Sequence, residues 1–453
     1  MKTARSLAPT SGNARITWTL LNSTATAGLG GLLFGFDTAV ISGATHALTV
    51  TYNLTPALLG VTVASALWGT ILGACTGGVL GDRLGRRDGL RLIAILYFLS
   101  AIGCAFAWDW YSLLAFRIIG GIAIGGSSVL GPMYIAEIAP AKWRGRLVGL
   151  FQFNVVLGIL IAYVSNYVIG LFGLGAVEWR WKLGIAAVPA LLFLLSLLRI
   201  PRSPRWLVKK GRIEEARATL TRIGEENIEQ ELLDIAESMN VEQGHERLFS
   251  RRYALPIFLA VSIGMFNQLS GINAILYYLN DIFARAGFSA VSSDEQAVAI
   301  GLMNLVATMI AMSIIDNAGR RKLLLIGSVA CALSLAGVAW VFFTGTHGTL
   351  LLWFLGSFIC FFSFSQGAVI WVYISEIFPN TVRGKGQSLG SFSHWFMNAV
   401  VSGIFPLMAA RSGGYPFVFF SIVMVVQFFV VLRFYPETQR IPLEELQRKL
   451  GLN

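Results

Sequence analysis

Long apolar stretches separated by short polar turns run the length of this chain. Twelve of them read as membrane spans, at 18–45, 57–80, 89–107, 111–136, 146–172, 181–199, 254–284, 296–315, 322–343, 349–378, 387–410 and 415–435. A helix crosses the hydrocarbon core of a bilayer with about 20 apolar residues. One long interval, 201–252, breaks the pattern. There Lys209, Lys210, Glu214, Glu215, Arg217, Glu229 and Glu231 alternate with apolar residues at helical intervals, which predicts short amphipathic helices. The pattern therefore predicts an all-α membrane protein of 12 transmembrane helices. It divides into a six-helix bundle at 1–200, a cytoplasmic helical linker at 201–252, a second six-helix bundle at 253–436 and a cytoplasmic tail at 437–453.

Composition agrees with that picture. The 453 residues are 55% hydrophobic and only 13% charged, whereas a soluble domain carries roughly 25% charged residues. The 48 glycines suit close helix packing in lipid. The net charge of +11 does not point to nucleic acid, because the bases sit in short turns between apolar runs. Arg83, Arg86, Arg87 and Arg91 follow the second span, and Lys142, Arg144 and Arg146 the fourth. Arg320, Arg321 and Lys322 follow the eighth, and Arg383 and Lys385 the tenth. The alternate turns at 46–56, 107–110 and 344–349 contain no Lys or Arg. The positive-inside rule then places both termini in the cytoplasm, in a multi-pass protein of the inner (cytoplasmic) membrane. The apolar run after Lys2, Arg5 and Arg15 is too long for a cleaved signal and reads as the first span. Cys75, Cys104, Cys331 and Cys360 lie in apolar segments and read as small buried side chains. The four histidines, His46, His245, His347 and His394, are scattered and suggest no metal.

Three segments occur twice. Gly81-Asp82-Arg83-Leu84-Gly85-Arg86-Arg87 recurs as Asp316-Asn317-Ala318-Gly319-Arg320-Arg321. Glu137-Ile138-Ala139-Pro140 with Arg144-Gly145-Arg146 recurs as Glu376-Ile377-Phe378-Pro379 with Arg383-Gly384-Lys385. Pro201 to Arg205 recurs weakly as Pro436 to Arg440. The second copies lie 234, 239 and 235 residues after the first, about half the chain. Two homologous halves in one orientation imply a carrier with a central site where the halves meet. Asp82, Arg86, Glu137, Arg144, Asp316, Arg320, Glu376 and Arg383 are candidate gating residues. An exposed pair contributes only about 0–1 kcal/mol, but several together can bias a two-state balance.

At these motifs the sequence resembles the sugar porter family of the major facilitator superfamily. The resemblance also takes in Arg117 with Gly120 and Gly121, Gln268-Leu269-Ser270-Gly271-Ile272-Asn273, and Trp371 to Arg383. Three positions depart from the family pattern. Arg202 stands where the family has Glu, Asn267 precedes Gln268 where it often has Gln, and Ala368 replaces a Pro of the tenth span. The last change predicts a less kinked helix. The resemblance implies import of a monosaccharide, hexose or pentose, by alternating access.

A sugar needs amides, which donate and accept, and an aromatic surface. Gln152, Asn267, Gln268, Asn273, Asn304 and Asn398 lie inside spans, with Phe34, Trp371 and Trp395 as candidate rings. Such amides also glue helices together. Gln268 and Asn273 are about 140° apart on a regular helix, so they share a ligand only if Gly271 unwinds the seventh span, as the resemblance implies. Tyr277 and Tyr278, again by resemblance, close the outside over bound sugar.

Asp37 sits in the middle of the first span, where a carboxylate costs about 2.5–3.5 kcal/mol. Arg117, in the fourth span, is its expected partner. By resemblance, proton-coupled members carry Asp here and passive mammalian glucose carriers carry Asn. The reading is proton symport, the alternative a facilitative sugar or polyol uniporter. The expected partners are a monosaccharide, protons and the bilayer, with no cofactor, in a monomeric protein. The absence of HExxH, a phosphate loop and paired intramembrane carboxylates speaks against an enzyme.

Overall fold

The computed structural model describes residues 17–140, 142–241, 247–379 and 381–439, and beyond them 441, 445, 446, 448, 450 and 452. The first half comprises α1 (Trp18–Val40), α2 (Thr45–Tyr52), α3 (Pro56–Leu84), α4 (Arg86–Ala105), α5 (Trp110–Ile138), α6 (Arg144–Leu171), α7 (Glu178–Gly184) and α8 (Ala187–Ser196). Three short helices follow, α9 (Pro204–Lys209), α10 (Ile213–Ile223) and α11 (Ile228–Val241). The second half comprises α12 (Ala254–Leu269), α13 (Ile272–Tyr277), α14 (Leu279–Arg285), α15 (Ala290–Ala318), α16 (Arg320–Thr344), α17 (Leu350–Phe362), α18 (Ala368–Glu376), α19 (Arg383–Arg411) and α20 (Tyr415–Phe434).

Local chemistry sets the helix ends. Thr17 and Thr55 accept backbone N–H groups at the starts of α1 and α3, and Asp109 and Ser112 form a reciprocal capping box at the start of α5. The repeat is visible in the backbone. Gly85 (φ +91°) and Gly319 (φ +81°) make matching breaks, α3 to α4 and α15 to α16. A side chain at either would meet the segment that follows that half's last span, Trp206 in one case and Glu437 in the other. Tyr134 donates to the carbonyl of Pro201 at 2.8 Å, and Tyr373 donates to that of Pro436 at 3.3 Å.

Among the described residues, eleven helices or joined helical segments are long and apolar enough to span a bilayer. The remaining span, eleventh in chain order, is α19. It is 29 residues long but too polar on average, because it turns Ser393, His394, Asn398 and Ser402 into the protein interior. Inside a bundle such side chains find partners; facing lipid they would not. The tenth span is α17 and α18 joined by a π-helical turn at Ser363–Gly367. Ala368 therefore does not leave this span regular: the backbone register slips just before it without a proline. The cysteine expectation also needs correction. Cys104 and Cys331 are buried, but Cys75 is exposed and Cys360 only half-buried. A lipid-facing helix surface suits a small apolar side chain as well as a core does.

The halves meet where α6 packs along α15 and α3 along α19. The α9–α11 segment docks on the first half. Its own small core gathers Trp206, Leu207, Ala216, Leu220, Ile223 and Leu232. Trp206 Nε1 donates to the carbonyl of Asp82 at 3.1 Å, and Thr17 Oγ1 donates to that of Ile223 at 3.1 Å.

Candidate functional site

The seventh span is broken where the glycine allows it. Gly271 takes φ +85°, a left-handed conformation that side chains disfavour. Ser270 fastens the break, donating to the carbonyl of Asn267 at 2.7 Å and accepting from the Ile272 N–H at 3.3 Å. The kink removes the angular separation of a regular helix, and Asn273 Nδ2 reaches Gln268 Oε1 at 3.1 Å. Gln268 Nε2 in turn donates to Asn267 Oδ1 at 3.0 Å. Asn267 Nδ2 lies 3.4 Å from the carbonyl of Gln366, in the π-helical turn of the tenth span. Gly271→Ala is expected to abolish transport and lower the melting temperature in detergent. Its Cβ would fall 2.3 Å from the Phe420 ring, and the left-handed backbone adds about 1–2 kcal/mol. Unchanged melting would contradict this.

The rest of the second half surrounds that network. His394 places both ring nitrogens near Gln268 Nε2, at 3.2 and 3.3 Å, and its ring lies 5.1 Å from that of Trp371. Asn398 Nδ2 donates to the Tyr277 hydroxyl at 3.2 Å, while Asn398 Oδ1 accepts from Ser402 at 3.1 Å. Tyr278 donates to the carbonyl of Ser402 and stacks on Phe405. Asn304 is engaged elsewhere: its Oδ1 accepts from Ser363 at 3.1 Å and faces Thr308, joining α15 to the tenth span.

A cavity at the seam of the halves is lined by Phe34, Asp37, Thr38, Arg117, Tyr277 and Trp395, among others. Phe34 and Trp395 approach across the seam, their rings 5.5 Å apart. Asp37 and Arg117 also line a second cavity, inside the first half, with Tyr97, Ser100 and Cys104. Arg117 Nε donates to the carbonyl of Thr62 at 3.2 Å, not to Asp37. The two charges share a space and are not a clamped pair.

Gln152 stands apart from the closed cavity. It lies on the α6 stripe with Val156, Ile159 and Tyr163, which are buried, yet it is itself exposed. Trp371 is likewise 42% exposed. Both lie toward the face that carries the arginine-rich turns. Toward the opposite face the seam is tight, with Tyr163 donating to the carbonyl of Leu276 at 3.0 Å.

On the arginine-rich face Asp82, Arg86 and Glu137 pair within the first half, and Arg320 and Glu376 within the second. Arg86 meets Asp82 at 3.0 Å and Glu137 at 2.9 Å. Glu137 also accepts from Ser203. In the second half Arg320 meets Glu376 at 3.0 Å. The backbone N–H groups of Arg320 and Arg321 donate to Glu437. Arg383 Nε reaches the carbonyl of Phe378 at 3.4 Å, and Arg144 begins α6. The side chain of Asp316 lies outside the described residues. Arg202 finds a partner, Asp88, at 3.0 Å, so the substituted position keeps a contact.

This arrangement is a membrane carrier's, and comparison with known proteins says of what family. The family model described as "Sugar (and other) transporter" matches residues 23–450. The chain belongs to the sugar transporter family. Its members here include the D-xylose-proton symporter of Escherichia coli (strain K12), 35% identical over 470 residues, covering 94% of this chain and 95% of that one. The arabinose-proton symporter of Bacillus subtilis (strain 168) is 37% identical, covering 93% of each chain. Among solved structures, the partially occluded inward open conformation of the xylose transporter XylE from E. coli superposes with a TM-score of 0.85 at 34% identity, covering 94% of this chain and all of that one. This sugar transporter therefore has the major facilitator fold and is not an enzyme. Sequence reasoning missed His394, Ser363 and Gln366 in its interior. His394 had a usable signal, an ionisable ring inside a span. The π-helical turn that presents Ser363 and Gln366 had none.

Proposed function

We propose that this protein imports a monosaccharide, pentose or hexose, together with a proton. Asp37 carries the reading: a carboxylate in the middle of a span, beside Arg117, opening onto the cavity framed by Phe34, Tyr277 and Trp395. The amides of Gln268, Asn273 and Asn398 offer the mixed donors and acceptors that hydroxyls require. Trp371, Trp395 and Phe34 offer apolar faces for the ring of the sugar. Gln152 joins them when the halves close around substrate. The relatives named for D-xylose and arabinose support a pentose as substrate, and their proton coupling supports Asp37 as the proton carrier.

The arginine-rich turns face the cytoplasm, with both termini there, and the state described here is open inward. The ion pairs Arg86–Glu137 and Arg320–Glu376 stiffen the inner ends of each half, so that each moves as a body. The test is counterflow in liposomes with labelled pentoses, hexoses and polyols, with and without a pH gradient. Counterflow of a pentose or hexose, made uphill by an alkaline interior, is expected. Counterflow that ignores the gradient would leave a uniporter, and none with any sugar would remove the reading.

A further inference from the structure

Of the ion pairs between described residues, one joins the two halves. Lys182 on α7 places Nζ 3.3 Å from Asp294 Oδ2 on α15, and the side chains are only 4% and 5% exposed. The pair sits on the face opposite the arginine-rich turns, where the seam is closed. Each partner also has a companion in its own half. Lys182 meets Glu178 at 2.8 Å, and Asp294 accepts from Asn280 just beyond the broken seventh span. Gly170, at the end of α6, leaves the room this needs: an added Cβ would lie 3.0 Å from Asp294 Oδ2. Beside it Tyr167 donates to Glu295 at 3.2 Å, a further contact across the seam.

We infer that Lys182 and Asp294 form a latch that holds the outer face shut and parts when substrate is admitted from outside. A buried ion pair holds only while both charges are satisfied. Here separation strands neither charge, because Glu178 stays with Lys182, Asn280 stays with Asp294, and water reaches both as the seam opens. The pair therefore biases the balance between states without locking it. Removing one charge has the opposite consequence in the closed state: the other stays buried across the seam from a neutral group, and opening relieves it. Lys182→Met and Asp294→Asn should each shift the population outward. Lys182 and Asp294 are positioning residues of the cycle, with no contact to substrate required.

The inference rests on the alternating-access reading, and the test separates the two. The background has Cys75, Cys104, Cys331 and Cys360 replaced. Two single-cysteine reporters are then used. Ala64→Cys sits at the closed seam, where an added Gly403 Cβ would be 3.5 Å away. Gly145→Cys lies seven residues before Gln152 on the same α6 stripe, with nothing within 4 Å of its Cβ. Labelling by a membrane-impermeant maleimide is followed in right-side-out and inside-out vesicles. Each single variant should speed outer labelling about fivefold and slow inner labelling, a shift of a two-state balance. The double variant should do no more than a single one. Unchanged outer labelling in both variants, labelling that rises on both sides, or effects that multiply in the double variant would overturn the latch. Sugar counterflow in the parent vesicles reads the transport assignment independently: its presence with flat labelling rejects the latch alone, and its absence rejects the transport reading.

Discussion

Asp37→Asn is expected to keep sugar exchange and to lose accumulation driven by a pH gradient. The substitution is nearly isosteric, so the seam cavity that Asp37 shares with Phe34, Tyr277 and Trp395 keeps its shape. It removes a charge whose burial is costly, so the fold should not suffer. On the proposed mechanism, what it removes is the proton site. Asp37 is placed to serve as one because it is not locked to Arg117, whose Nε donates to the carbonyl of Thr62. The carboxylate borders both the seam cavity and the cavity inside the first half. A driving force of 100 mV supplies about 2.3 kcal/mol per proton, which corresponds to roughly 50-fold accumulation at one proton per sugar. The unmodified protein in proteoliposomes should approach that ratio, and the Asn variant should stay near unity while counterflow continues. Gradient-driven accumulation by the variant at the normal level would remove Asp37 from the coupling mechanism.

Gln268→Ala should weaken sugar binding about 10- to 100-fold, read as the half-saturation of counterflow or by calorimetry. Gln268 is the hub of the amide network, donating to Asn267, accepting from Asn273 and lying beside His394. Truncation removes the sugar contact proposed for Gln268 and also frees Asn273, whose Nδ2 it accepts, to turn away. Each lost or orphaned hydrogen bond in a buried site costs about 1–3 kcal/mol. Asn304→Ala makes the contrast, because Asn304 is occupied with Ser363 and Thr308. It should lower the melting temperature and leave half-saturation within about twofold, the behaviour of a residue that holds helices together. Equal effects of the two substitutions on half-saturation would show that Gln268 has no special place in the site.

Much of this was legible in the chain alone, because a membrane leaves few choices. Backbone groups in hydrocarbon must bond internally, so long apolar runs can only be helices, and bases in alternate turns carry the orientation proposed above. The duplicated Gly85/Gly319 and Glu137/Glu376 segments disclosed the two halves. Asp37 stood out by its place in a span, and the structure sets it on the seam cavity. The α19 span was legible by position, although its inward-facing Asn398 and His394 lower its apolarity.

Side-chain partners were not legible, since they depend on which helix faces which. Only the packed structure leaves Asp37 unclamped by Arg117, commits Asn304 to Ser363, and sets His394 against Gln268. The same holds for Lys182 and Asp294, 112 residues apart. Local sequence determines whether a residue lies in a helix and how deep it sits. Its partner is decided by the rotation and docking of whole helices, which depend on the sum of many weak contacts across the seam.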